Sequence, residues 1–154
     1  MIEELCIDDV EEILSVINTS NRETYKSIIP REHFKEPVLS MEELLKDFER
    51  MAFYVYRRKG RVVGVAALQI ESKGTGRIHR VYVPPEYQRK GIGTALVTYV
   101  ELEAREMGLR KLRLLTVRKA KWAVNFYKKL GYYLTNKAEK PWVFDVSMGK
   151  ELQL

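Results

Sequence analysis

This sequence contains little cysteine and no long hydrophobic run, and each shortage excludes a class of protein. Among its 154 residues, Cys6 is the single cysteine, so no disulfide can form within the chain and a reducing cytoplasmic location is expected. The apolar runs are too short to cross a bilayer, and acidic residues occupy the N-terminus, where a secretory leader would carry basic ones. We therefore expect no membrane association.

Internal repeats, low-complexity tracts and linker-like segments are missing as well, so residues 1–154 are expected to form a single domain. Apolar residues make up 45% of the chain, which is enough for one core. The net charge of +6 favours an anionic partner. Because lysine and arginine are spread along the whole chain and no aromatic-and-basic motif accompanies them, nucleic acid is not the expected partner. No metal site is expected either.

The first third of the chain has the apolar spacing of helices. Either Asp8 or Asp9 can cap a first helix that ends near Asn18, and residues 21–29 can add a further turn or two. Ser40 is followed three residues later by a glutamate, which is the spacing of a capping box. This motif predicts a second helix that begins at residue 41 and ends near residue 51.

The remainder of the chain alternates between strand and helix patterns. Strands are predicted over residues 52–57, 62–70, 77–83, 111–117, 132–135 and 142–148, with helices over residues 94–107 and 120–130. The first three strands follow one another as an antiparallel meander, and the later ones alternate with helices. This order predicts an α/β sandwich, with a mixed sheet and helices on both faces.

The most informative segment is the loop at residues 88–94, which lies between a predicted strand and the long helix. Gly91 and Gly93 leave the first amides of that helix accessible, and these amides have no partner inside it. The positive end of the helix dipole lies behind them, and Arg89 and Lys90 add full positive charge. The loop is therefore predicted to bind a phosphate group.

Two common phosphate-binding motifs do not fit this loop. A dinucleotide fingerprint requires a third glycine at the position of Leu96. A Walker loop requires a lysine after its last glycine, whereas Lys90 precedes Gly91. The pattern that remains is Gln-Arg-Lys-Gly-x-Gly-Thr-Ala after a strand and a proline.

That pattern resembles the hallmark of the GCN5-related N-acetyltransferases, Arg/Gln-x-x-Gly-x-Gly/Ala, with Gln88, Gly91 and Gly93 at its signature positions. Residues 80–84, Arg-Val-Tyr-Val-Pro, are similar to the strand that precedes this motif in the family. Residues 123–132 resemble its "Ala-x-x-Phe-Tyr-x-x-Leu-Gly-Phe" segment. The resemblance covers residues 52–152, and ribosomal-protein alanine acetyltransferases are the members most similar in appearance.

Membership of this family implies a fold, a cofactor and a set of contacts. The fold would be a mostly antiparallel central sheet whose strands splay apart where acetyl-CoA binds. The diphosphate of the coenzyme would lie on the amides of residues 89–94, and its pantetheine arm would pair with the backbone of the preceding strand. The cofactor-binding residues implied in this way are Val81, Tyr82, Val83, Gln88, Arg89, Lys90, Gly91, Ile92, Gly93, Thr94 and Asn125.

Tyr127 is the predicted general acid for the departing thiolate. The resemblance places it at the tyrosine of the family's "Phe-Tyr" pair. Its phenol has an ordinary pKa near 10, so it is protonated and able to donate at neutral pH. Packing of the ring in the core is the alternative interpretation, and the two are compatible.

The general base is less clearly marked. Thr116 stands where the alanine acetyltransferases carry a glutamate, and Ala120 stands where the family often carries an asparagine that holds the pantetheine. His79 is the first remaining candidate, because strand alternation places it on the same face as Val81 and Val83. A hydrogen-bonded structural histidine is the alternative. Glu71 is a second candidate, and a chain of water molecules could replace either side chain.

The sequence leaves three functions to compare. The first is acetyl-CoA-dependent transfer to a primary amine within a ternary complex, with a protein N-terminus, a lysine or a small amine as the acceptor. The second is an acyl-CoA-binding sensor with weak or no catalysis. The third, nucleic-acid binding, is supported by charge alone. The oligomeric state is expected to be a monomer or a homodimer.

Overall fold

A computed structural model describes residues 2–4, 9–135 and 145–153. Within these ranges the chain forms four α-helices and one seven-stranded sheet of order β1-β2-β3-β4-β5-β7-β6. The strands are β1 Ile2–Glu4, β2 Met51–Arg58, β3 Arg61–Ser72, β4 Thr75–Tyr82, β5 Lys111–Val117, β6 Tyr133–Thr135 and β7 Asp145–Glu151, and the helices are α1 Val10–Tyr25, α2 Met41–Arg50, α3 Ile92–Glu106 and α4 Lys121–Lys129. None of the described helices has the length and apolar character needed to cross a membrane.

The antiparallel meander predicted from the sequence is present. The β2–β3 turn consists of Lys59 and Gly60, whose φ angles of 51° and 77° match the twist of the strands they join. β3 pairs antiparallel with β4, and β1 adds to the outer edge of β2. No strand was predicted for the segment that forms β1.

The sheet opens between β4 and β5. These two strands are parallel, and their pairing joins residues 75–77 to residues 111–113. β4 then continues to Tyr82 and β5 to Val117, so their carboxyl-terminal halves diverge. The splayed strands expected from the family resemblance are therefore confirmed.

Helices cover both faces of the sheet, as predicted. α3 packs on one face over a core that includes Leu96, Leu112 and Met148. α1 and α2 pack on the other face over a second core that includes Ile13 and Leu44. The open end of the sheet therefore lies between helical layers that belong to different cores.

Helix boundaries differ from the predictions mainly in α1. It continues to Tyr25 instead of ending near Asn18, and the Asn18 side chain bonds to both backbone groups of Leu39. Asp9 is the N-cap residue, but its carboxylate makes no capping bond and pairs with Arg57 instead. The predicted capping box of α2 is confirmed, with Ser40 Oγ accepting from the Glu43 amide at 3.1 Å.

The C-terminal strand continues to Glu151, three residues beyond its predicted end at Met148. Its first predicted residues, including Trp142, lie outside the described residues. The same is true of Cys6, which the sequence analysis used to assign a reducing environment.

A β-bulge interrupts β4 next to the opening. Tyr82 pairs with Val65 and His79 pairs with Ala67, so two steps along β3 correspond to three along β4. Arg80 occupies the bulge with a φ of 54°, a left-handed conformation that is uncommon for residues other than glycine. Bulges of this kind reorient the side chains that follow them.

Candidate functional site

A cleft of about 730 Å³ lies at the split between β4 and β5. Its walls come from the end of β4, the 88–94 loop, α4 and the C-terminal half of α1. Ten of the residues predicted to act in the site line this cleft. They are Val81, Tyr82, Val83, Gln88, Arg89, Gly91, Gly93, Thr94, Asn125 and Tyr127.

Three predicted residues do not line the cleft. Ile92 is buried in the core under α3, so only its backbone can contribute to a ligand site. Lys90 is exposed, and its ammonium lies 6.0 Å from the centre of the Tyr87 ring. His79 lies on the opposite face of β4.

The position of His79 corrects an expectation from the sequence. Regular alternation would put it on the same face as Val81 and Val83, but the bulge at Arg80 shifts the phase by one residue. Val81 and Val83 therefore pack against the α3 core, whereas Ala67, the partner of His79, belongs to the α1–α2 core.

The surroundings of His79 also do not suit a general base at neutral pH. Its Nε2 lies 2.8 Å from Gln69 Oε1. Burial lowers the pKa of the imidazole to about 4, and the nearby guanidinium groups of Arg77 and Arg80 contribute to the same shift. Glu71, the other named candidate, forms ion pairs with Arg113 and Arg77.

The 88–94 loop has the backbone geometry expected of an anion site. Gly91 is the N-cap of α3 with a φ of 83°, and no side chain caps the helix. The amides that follow it have no intrahelical partner. At Gly93 the space is limited, since a Cβ there would lie 3.3 Å from the Phe126 ring. The residues present therefore fit a diphosphate group.

Gln88 has a structural contact in addition to its place in the cleft wall. Its side-chain amide donates a 2.8 Å hydrogen bond to the carbonyl oxygen of Val83. This bond ties the loop to the end of β4. It also occupies one acceptor position on a strand edge that was predicted to pair with the pantetheine arm.

Tyr127 occupies the last turn of α4 and is 8% exposed. Its ring packs edge-on against Phe126 and Tyr132, with centroid separations of 5.0 and 5.8 Å. Burial raises the pKa of the phenol well above its usual value, and Tyr25 and Tyr82 raise it further. The hydroxyl is therefore protonated at neutral pH. Core packing and cleft exposure coexist, as the sequence analysis allowed.

Residues of α1 form the wall that the sequence analysis missed. Ser20, Thr24 and Tyr25 line the cleft, and the Tyr25 ring stacks on Trp122 of α4 at 6.1 Å between centroids. The signal was hidden because the helix was expected to end before these positions. Ala123, Phe126 and Lys129 complete the α4 side.

The two positions that depart from the family pattern are both buried. Ala120 is the N-cap of α4 and is fully buried, while Thr116 lies on β5. Neither residue is among the described residues that line the cleft. Within the described part of the chain, no group of three or more His, Cys, Asp or Glu side chains could hold a metal ion.

Comparison with protein families and with known proteins gives consistent matches. The model of the acetyltransferase (GNAT) family matches residues 13–132. An amino-acid acetyltransferase of Pseudomonas fluorescens is 32% identical over 123 residues, which cover 79% of this chain. The chain spans 26% of the length of that relative and 38% of the length of a second curated relative.

Solved structures share the fold over nearly the whole chain. A PaiA N-acetyltransferase from Thermoplasma acidophilum, in complex with coenzyme A, superposes with a TM-score of 0.86 and 25% identity over 98% of both chains. The ribosomal-protein-S18-alanine N-acetyltransferase of Escherichia coli has a TM-score of 0.78 and 18% identity, covering 100% of this chain and 94% of its own. At that identity the second likeness concerns the fold alone.

Proposed function

Because this chain belongs to the acetyltransferase (GNAT) family, we propose that it transfers the acetyl group of acetyl-CoA directly to a primary amine within a ternary complex. The observation that carries the proposal is the placement of Tyr127. The phenol of Tyr127, which is protonated at neutral pH, lines the same cleft as a loop suited to a diphosphate. This arrangement supports a proton donor next to a coenzyme site.

The coenzyme contacts follow from the loop and from the open strand edge. Amides of the 88–94 loop would hold the diphosphate, with Arg89 adding charge at the same wall. The end of β4 at Val81 would pair with the pantetheine arm, since β5 has diverged from that edge. The bound coenzyme supplies a thioester, and its sulfur would then point towards Tyr127.

The chemical step requires the amine nitrogen to attack the thioester carbonyl carbon, so that a C–N bond forms and the C–S bond breaks. Tyr127 would donate its hydroxyl proton to the departing sulfur. The proton lost by the amine returns to solvent, and solvent reprotonates the phenolate. The net result is an acetamide and a free thiol, with no redox change.

Replacing Tyr127 by phenylalanine tests this role, because it removes the hydroxyl and keeps the ring. We expect kcat for CoA release to fall about 100-fold or more, the lower range for loss of a general acid. The dissociation constant for coenzyme A should stay the same in calorimetry. Unchanged turnover would show that another group protonates the sulfur.

Tyr133→Phe is a matched control. Tyr133 is exposed on β6, and its hydroxyl bonds to Glu151 at 2.7 Å, outside the cleft. We expect this variant to match the parent protein in both turnover and coenzyme affinity.

A non-catalytic acyl-CoA sensor is the second candidate. The observation that favours it is Ala120, at a position where many relatives are expected to carry an asparagine. An alanine side chain cannot form a hydrogen bond to a pantetheine arm. The same two measurements separate the alternatives. Coenzyme A binding without CoA release from acetyl-CoA, across a panel of amines, would favour the sensor.

A further inference from the structure

Ser20 is a buried polar residue in the wall of the cleft, and its hydroxyl has no hydrogen-bond partner among the residues that the structure describes. The residue is 1% exposed, yet Ser20 Oγ finds no donor or acceptor within the described residues. Leaving a buried hydroxyl unsatisfied destabilises a fold, so such groups generally have a role that the protein alone does not show. Because Ser20 lines the cleft, a ligand can supply the missing partner.

The wall that carries Ser20 is not the wall assigned to the coenzyme. The 88–94 loop, β4 and α4 provide the predicted coenzyme contacts, whereas Ser20 lies on α1, which packs over the opposite core. Tyr25 of α1 stacks on Trp122 of α4, so the α1 wall of the cleft faces the helix that carries Tyr127. A group placed between α1 and Tyr127 therefore lies within the reacting part of the cleft.

We propose that Ser20 accepts a hydrogen bond from the attacking amine, and that the site selects amines that enter uncharged, namely α-amines rather than lysine ε-amines. This inference rests on the proposed function. A hydroxyl oxygen suits the N–H of a neutral amine and leaves the nitrogen lone pair free to attack. An ammonium ion would instead require a carboxylate to offset its desolvation.

The charged and titratable groups that line the cleft support the same choice. α1 contributes Tyr25, β4 contributes Tyr82, the loop contributes Arg89, and α4 contributes Tyr127 and Lys129. Burial raises the pKa of all three phenols, so they remain neutral at physiological pH. None of the described residues that line the cleft is an aspartate or a glutamate, so an ammonium ion would find no carboxylate there.

The intrinsic pKa of each amine then sets how much of it can react. At pH 7, about one α-amine in ten is neutral, compared with about one ε-amine in 2,500, from reference pKa values of about 8 and 10.4. The difference is roughly 250-fold. If the cleft removes water from the amine and supplies no general base, the reactivities of the two amines keep this ratio.

The first test compares two acceptors that differ in the amine offered: a dipeptide amide without lysine, and Nα-acetyl-lysinamide. At pH 7 we expect kcat/KM to be at least 100-fold higher for the dipeptide amide. The gap should narrow as pH rises, because the dipeptide profile levels off near pH 8 and the lysine profile keeps rising towards pH 10. Equal or better use of the lysine compound at pH 7 would overturn the inference while leaving the proposed function intact. No CoA release with any amine would instead refute the function itself.

The second test is Ser20→Ala, with Ser15→Ala as the control on the exposed side of the same helix. We expect Ser20→Ala to lower kcat/KM for the dipeptide amide about tenfold, with no change in coenzyme A affinity. Its melting temperature should be equal or higher, because an unsatisfied buried hydroxyl has been removed. A purely structural serine would give the reverse result, a lower melting temperature with unchanged kcat/KM. Ser15→Ala should alter none of these quantities.

Discussion

Gly91 has a backbone conformation that the predicted phosphate site requires. Its φ of 83° is left-handed, and nothing lies within 4 Å of the position where a Cβ would stand. An alanine at this position would therefore be strained by its left-handed backbone conformation, and its Cβ would not clash with any neighbouring atom. We expect Gly91→Ala to destabilise the fold by about 1–2 kcal/mol and to weaken coenzyme A binding, because relieving the strain rotates the first amides of α3. Urea unfolding and calorimetric titration would measure the two effects.

Gly60 provides a matched control in the β2–β3 turn. It has a φ of 77° and equally open surroundings, but it lies outside the cleft. Gly60→Ala should lose similar stability and keep full coenzyme affinity. If both variants lose affinity equally, general destabilisation explains the effect and the 88–94 loop has no special part in it.

His79 and Arg80 show where prediction from single residues stops. The loop glycines and Tyr127 line the cleft. The glycines were expected there because their chemistry is local, and Tyr127 because its motif is contiguous. The face of the strand on which His79 lies depends on a bulge at Arg80, which has a φ of 54°. None of the nearby residue types predicts this conformation. Strand alternation assumes an unbroken ladder, so a single extra residue moved His79 to the other side of the sheet.

Helix α2 stabilises that bulge through Asp47. This buried carboxylate accepts hydrogen bonds from Arg50 Nη2 at 2.6 Å and from Arg80 Nε at 3.2 Å. Arg80 also interacts with the hydroxyl of Tyr82 in the cleft wall. Helix α2 carries no predicted site residue, yet it holds the bulge that lies next to the site.

Asp47→Asn tests this connection, because it removes the charge and keeps the shape of the side chain. We expect a loss of about 1–2 kcal/mol of unfolding free energy, since hydrogen bonds to charged groups contribute about 1.5–3 kcal/mol. KM for acetyl-CoA should also rise, because Val81 follows the bulge. Glu42→Gln on the same helix is the control, since its pair with Lys46 is exposed and 3.7 Å long. Equal effects from the two variants would contradict the role given to Asp47.

Helix α1 shows why part of the site escaped prediction. The run Asn18-Thr19-Ser20-Asn21 contains residues that favour caps and turns, so local propensity indicates an end. In the structure Ser20 and Asn21 are buried and the helix continues. Packing of α1 against the sheet outweighs propensity there, and packing is not visible in a local window of sequence. By contrast, α2, the meander and β5 were predicted well because their caps, turns and periodicity are local.

At the scale of the whole molecule, the sheet divides into two arms that meet near the base of the cleft. One arm contains β1 to β4 and the other contains β5, β7 and β6. Beyond the short pairing of β4 with β5, a buried cluster formed by Glu101, Tyr132 and Lys150 connects α3 to the second arm. Tyr132 donates to Glu101 at 2.8 Å, and Lys150 Nζ lies 3.2 Å from both oxygens of the same carboxylate.

Lys150 also connects this cluster to the helix that carries Tyr127. Its ammonium donates a 2.7 Å hydrogen bond to the carbonyl oxygen of Leu130, directly after α4. The Tyr132 ring in turn packs edge-on against Tyr127. The cluster therefore fixes the end of α4 relative to both arms of the sheet.

Lys150→Met should show how much this connection contributes. The change leaves the Glu101 carboxylate buried, with side-chain exposure of 7%, and bonded to Tyr132 alone. Breaking a buried ion pair from one side costs about 3–5 kcal/mol, and we expect the lower end because the Lys150 side chain is 24% exposed. Turnover should fall as well, since the end of α4 is released. Lys46→Met, which breaks an exposed pair on α2, should cost no more than about 0.5 kcal/mol.

The double variant Glu101→Gln with Lys150→Met separates the charge from the packing. Glutamine can still accept the hydrogen bond from Tyr132, and no unpaired charge remains buried. If the penalty of Lys150→Met comes from the stranded carboxylate, the double variant should be more stable than the single one. Turnover should stay low in both, because neither restores the bond to Leu130. A double variant that is less stable than Lys150→Met would show that the Glu101 carboxylate stabilises the fold without Lys150, through its hydrogen bond from Tyr132, and that a stranded charge does not cause the penalty.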